Sequence, residues 1–268
     1  MDAEKVWKLW RRLLRDEKLQ QQLYEVKGPS QWLQHFPDEE QAILHTYACQ
    51  FERVKWFIEN YQFRLVNSFI NALETGAPLT LRALLNIGLD LRALSKAFLR
   101  QHEWFDYGPR VYGYCDSALG FLLERQELVN YPQIRDLIGL ERECTRLYTG
   151  LLEASTVVPG HYQRTENARI YHSRYELSQW LRDKSLLGRS SPEEARQFIL
   201  VYLPTPEARH KFTLISPRAA HLYECLEHPQ SLVSLTQLLS SATSTPPSNE
   251  DMALLDKLHQ LNAIRMPV

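Results

Sequence analysis

Residues 197–226, QFILVYLPTPEARHKFTLISPRAAHLYECL, decide the fold. Two strand-type runs, Phe198–Leu203 and Lys211–Ile215, flank a polar turn punctuated by proline, which reads as a hairpin. Ser216-Pro217 then opens an amphipathic helix, with Ala219, Leu222, Tyr223 and Leu226 on its apolar stripe. Almost everything upstream has the period of a helix. The hairpin is therefore where a mainly helical chain exposes strand edges.

Working back from it, residues 168–176 (ARIYHSRYE) alternate weakly and read as a further strand. Residues 155–167 lose the helical period and contain Pro159-Gly160, so a domain boundary is expected there. Downstream, residues 231–241 form a short helix. After a polar loop with Pro246-Pro247, a last helix turns Leu254, Leu255, Leu258 and Leu261 inward. The expected class is α+β, mainly α. It comprises a helical domain over 1–155 and a domain over 156–268, in which a three-stranded antiparallel sheet precedes a winged-helix-like set of three helices.

In the helical part, Val6, Leu9, Trp10, Leu13 and Leu14 predict a first helix to about Tyr24, with Lys5, Lys8, Arg11, Arg12 and Arg15 around the stripe. Such a basic helix can lie on a membrane, but Asp16 and Glu17 directly after it favour a bundle helix with a solvated face. An aromatic-rich helical pattern from Ile43 through Phe57 and Phe69 ends at Gly76-Ala77-Pro78. The loop around Trp104, Phe105 and Tyr107 reads equally as a lid on the core or as a contact site, here an interface for a partner protein.

The chain has 268 residues, 44% of them hydrophobic, and a formal net charge of −1, which gives no global electrostatic grip on nucleic acid or acidic membranes. Four scattered cysteines without a C-x-x-C pair fit a reducing cytoplasm, and no apolar run has membrane-spanning length.

Candidate chemistry is sparse. His221, Cys225 and His228 fall near one helix face and could ligate zinc or copper, but no fourth ligand is apparent, and a solvated face is the preferred reading. The one E-x-x-H, Glu207 to His210, sits in the hairpin turn rather than on a helix. Neither a nucleophile elbow nor a phosphate-cradling glycine loop occurs. No catalytic residue, metal ligand or cofactor of this chain is assigned.

A winged helix invites a second reading as a DNA-binding regulator. From Ser216 onward, however, Arg218, Lys257 and Arg265 stand against Glu224, Glu227, Glu250, Asp251 and Asp256, too few cations for a phosphate backbone. Peptide capture fits better. An extended segment adds to a sheet edge through main-chain hydrogen bonds. In a simple meander Lys211, Phe212, Thr213, Leu214 and Ile215 are the expected edge, with Leu254, Leu258 and Leu261 flanking the groove; the alternative is that the helical domain covers that edge.

Residues 56–151 carry Tyr61-x-x-Arg64, Leu119-Gly-Phe-Leu122, Pro132-x-x-x-Asp136-Leu137 and Leu140-Glu141. The C-terminal part carries Leu214-Ile-Ser216-Pro-Arg-Ala219-Ala220-x-Leu222 and Leu255-x-x-Leu258. This order resembles a helical family first classed as DNA-binding and encoded beside multinuclear non-haem iron enzymes. The two-part layout is similar to the partner-protein family of methanobactin biosynthesis. The resemblance implies a heterodimer. The partner would hold the iron and oxidise cysteines of a ribosomally made precursor peptide to oxazolone and thioamide, and this chain would bind that peptide's leader.

Overall fold

The computed structural model describes residues 2–25, 31–102, 110–151, 157–205, 208–243 and 249–267. In chain order the helices of the first part are α1 (Ala3–Arg15), α2 (Glu17–Tyr24), α3 (Asp38–Cys49), α4 (Phe51–Gly76), α5 (Pro78–Asn86), α6 (Leu91–Gln101), α7 (Val111–Leu123) and α8 (Pro132–Gly150). There follow β1 (Gln163–Arg164), β2 (Ala168–Ser173), α9 (Ser178–Arg182), β3 (Gln197–Tyr202), β4 (Lys211–Ile215), α10 (Pro217–Cys225), α11 (Leu232–Thr243), α12 (Asn249–Gln260) and β5 (Ile264–Arg265). The chain is mainly helical with a small antiparallel sheet, the α+β class expected. Among the described residues no helix is long and apolar enough to cross a membrane.

By internal contact the residues form two compact units, Met1–Asn71 with Asp90–Gly108, and Ala72–Leu89 with Pro109–Val268. In the first unit, the single opening helix expected from periodicity is two. Asp16 leaves the helical region, with φ −94° and ψ 98°, and its carboxylate accepts the Leu19 N–H at 3.0 Å, so the acid that ends α1 also caps α2. The long aromatic pattern likewise divides at Gln50 into α3 and α4. Leu13, Leu23, Leu44 and Ile58 are the centre of this unit's core. Phe57 of the same pattern is 45% exposed, and Trp56 and Phe63 are exposed as well.

In the second unit, α7 and α8 form an antiparallel pair, and two carboxylates on α8 tie the remaining parts to it. Glu141, 1% exposed, accepts the Leu79 and Thr80 N–H groups at 3.0 and 2.6 Å, satisfying donors that the first turn of α5 leaves open. Asp136 accepts the Tyr171 hydroxyl at 2.7 Å, the Ser173 hydroxyl at 2.5 Å, and the Arg174 and Tyr175 N–H groups at 2.9 and 3.1 Å. The end of β2 is thereby fastened to the helix. Gly139, one turn on, leaves room for Tyr171 to cross: a Cβ there would lie 2.9 Å from the ring. The boundary expected between 155 and 156 lies outside the described residues.

The strands β2, β3 and β4 form an antiparallel meander in that order, with Ile170↔Leu200↔Thr213 in register. Successive side chains alternate between faces. On one face Ala168, Ile170, Leu200, Tyr202 and Ile215 join Leu222, Tyr223, Leu226, Leu255 and Leu258 in a common core, so α10 and α12 cover it. Arg218 of α10 pairs both guanidinium arms with Asp251 of α12, at 2.7 and 2.9 Å, and fixes the two helices to each other. The other face carries Tyr171, Ile199, Val201, Phe212 and Leu214, with β2 and β3 lying on α8. A pairing not expected from the sequence joins the last strand to the first: β5 returns to β1, with Gln163↔Arg265.

Candidate functional site

The sheet has two outer strands, and they differ. On β2 one outward main-chain group, the Ala168 carbonyl, is taken. The Tyr223 hydroxyl donates to the Ala168 carbonyl at 2.7 Å, and the His172 imidazole meets the Glu224 carboxylate at 2.5 Å. Among the described residues, β4 has β3 on one side and no strand on the other.

Which β4 groups face outward follows from the ladder. The Leu203 N–H donates to the Asn167 carbonyl at 2.8 Å, in line with the register Ala168↔Tyr202, so Asn167 and Leu203 are a hydrogen-bonded pair. In an antiparallel ladder such pairs alternate with non-bonded ones. Hence Gln197, Ile199 and Val201 turn their amides toward β2, and Phe198, Leu200 and Tyr202 turn theirs toward β4. Their partners Ile215, Thr213 and Lys211 are thereby engaged. The N–H and C=O groups of Phe212 and Leu214 are the ones that point away from the sheet.

Beside them lies a depression of about 520 Å³, lined by Lys211, Phe212, Thr213 and Leu214, by Ile199, and by Ser178, Leu181 and Arg182 at α9. It has Lys211 and Arg182 as cationic members over an apolar floor, and Leu214 is 46% exposed. Open amides, an apolar recess and an exposed leucine on one edge are what an added strand needs.

Aromatic rings hold the start of β4. Tyr112 of α7 stacks on Tyr148 of α8 at 4.4 Å between centroids. Tyr148 meets His210 edge-on at 5.7 Å, and His210 meets Phe212 at 5.1 Å. The Tyr148 hydroxyl accepts the His210 N–H at 3.1 Å and lies 3.1 Å from its Nδ1. Burial lowers the His210 pKa, with Arg209 adding to the effect, and burial raises that of Tyr112. His210 is thus held neutral as a packing ring.

Of the residues expected at the site, the structure brings Lys211, Phe212, Thr213 and Leu214 to one depression. Ile215 turns to the helix-bearing face and packs in its core. Leu254, Leu258 and Leu261 go there too, Leu258 with 2% exposure and the other two half-buried. The wall of the depression is α9 rather than α12, because α12 spends its apolar stripe on α10 and the opposite sheet face. Trp104, Phe105 and Tyr107 lie outside the described residues. His221 Nε2 and Cys225 Sγ are 3.7 Å apart, and burial raises the Cys225 pKa. Among the described residues no group of three or more His, Cys, Asp or Glu is placed to hold a metal ion.

The roles of Asp136, Glu141 and Tyr148 were not among those expected from the sequence. A signal for the first two existed, since each is an acid inside the apolar repeat of α8. A buried carboxylate demands donors, and these come from distant segments. A search of family models found no match to this chain, and none of the curated proteins matched it either.

Proposed function

We propose that this chain is a non-catalytic partner subunit that holds the leader of a ribosomally made precursor peptide as an added strand along β4. It presents that peptide to a separate multinuclear non-haem iron oxidase of the methanobactin type, docked through its helical part. The cysteine-to-oxazolone chemistry belongs to the partner in this reading and comes from the family resemblance alone. The observation that carries the peptide half is the outward amides of Phe212 and Leu214 above an apolar recess, on an edge that no strand among the described residues covers.

The test is binding of a fluorescein-labelled leader of a methanobactin precursor to the full chain, read by anisotropy. Leu214→Pro removes an outward donor and leaves the β3 ladder intact, whereas Thr213→Pro removes an inward one and is expected to damage the fold. A main-chain bond is worth about 1 kcal/mol, and the proline ring also crowds the incoming strand, so Leu214→Pro should weaken binding about tenfold. Wild-type affinity in a folded Leu214→Pro chain would remove β4 as the docking strand. Tight, steeply salt-dependent binding to duplex DNA with none to the leader would favour the regulator reading instead.

A further inference from the structure

The first compact unit carries a charge asymmetry that the peptide edge does not use. Arg11, Arg12 and Arg15 of α1, with Lys8, Lys18 and Arg100, line a depression of about 840 Å³. Two acids share the lining, and both are engaged. Asp16 accepts the Leu19 N–H, and Glu17 accepts Arg100 Nε at 2.7 Å; Lys8 pairs with Glu4 at 2.6 Å, so the excess is carried by the arginines of α1 and Lys18. Arg12 lies over the Phe36 ring, 5.2 Å from its centroid, while Arg11 and Lys18 are exposed. On a chain of net charge −1, this is a local excess of cations around a concavity.

Three kinds of anionic partner could meet it, and the surroundings separate them. A membrane helix must offer its apolar face, but Leu9, Leu13 and Leu14 of α1 are between 0% and 6% exposed and are spent on the core. A nucleic acid needs a long cationic track. From Lys8 to Arg15 the track runs about 10 Å along the helix, and Asp2 and Glu4 stand before it. A short stretch of protein carboxylates matches both the length and the concave form, and arginine forks bind carboxylates with two parallel bonds.

We propose that this depression receives an acidic segment of a partner protein, with several carboxylates close together in sequence. The inference rests on the reading that the helical part docks a protein.

The probe is a fluorescein-labelled oligoglutamate peptide titrated with the full chain at low salt, beside a short DNA duplex and phosphatidylserine vesicles. The wild type is expected to prefer oligoglutamate. The double variant Arg11→Ala/Lys18→Ala, whose side chains are exposed, should keep its circular dichroism and lose affinity about tenfold. Unchanged affinity in that variant, or tighter binding of the duplex or the vesicles than of oligoglutamate, would overturn the proposal. Co-purification with the iron enzyme is scored apart. A chain that takes oligoglutamate in the expected way but forms no complex with the enzyme contradicts the docking reading and leaves the acidic-segment site standing.

Discussion

Glu141 makes the stability of this protein depend on pH in the direction opposite to the usual paired carboxylate. It is enclosed at 1% exposure, and burial pushes its pKa up to about 7, against the pull of the Thr80 and Leu79 N–H groups and the Lys184 charge. In the unfolded chain the same group titrates near 4.5. Between those values the folded state keeps a proton that the unfolded state has released. Stability from this group is therefore complete below about pH 4.5, declines as pH rises, and levels off above about 7. At about 1.4 kcal/mol per pKa unit the decline is on the order of 3 kcal/mol. The measurement is urea unfolding followed by circular dichroism across that window, for the wild type and Glu141→Gln. The variant cannot titrate, so the difference between the two curves isolates the group. The wild type should lose ground relative to the variant as pH rises. A difference that stays flat, or changes in the opposite sense, would refute the argument that burial outweighs the two backbone bonds.

Two further perturbations probe how the second unit is held together. Asp136→Ala strips the acceptor from two hydroxyls and two backbone N–H groups at the end of β2. It should cost on the order of 3 kcal/mol in urea unfolding, with the Arg174 and Tyr175 amides becoming fast in hydrogen exchange. Arg218→Ala leaves Asp251 at 3% exposure without its guanidinium partner, for a similar loss of about 3 kcal/mol. Adding Asp251→Asn to that variant should recover part of the loss, because the buried charge is gone; no recovery would mean that the pair acts through packing alone.

Local patterns were readable where a segment's own period sufficed. The hairpin expected at Phe198–Leu203 and Lys211–Ile215 appears as β3 and β4 within a residue, and Ser216 caps α10 as its position before Pro217 suggested. The strand read at 168–176 is β2, shortened at Ser173, where Asp136 gathers the backbone N–H groups that follow. The division of the opening helix was harder to see, because Asp16 interrupts no apolar repeat. It breaks the helix by offering a carboxylate to the next turn.

Amino-acid order alone determined that this chain is mainly helical and that a three-stranded sheet precedes three helices. Each of these depends on side-chain period and turn chemistry within one short segment. Tertiary structure decided which amides of β4 remain open, which helix walls the recess beside them, and what the acids of α8 are for. Those outcomes depend on partners far away in sequence: Asn167 for Leu203, α9 for β4, Leu79 and Thr80 for Glu141. A hydrogen-bonding group or an apolar stripe can be used only once, and folding settles which distant segment uses it.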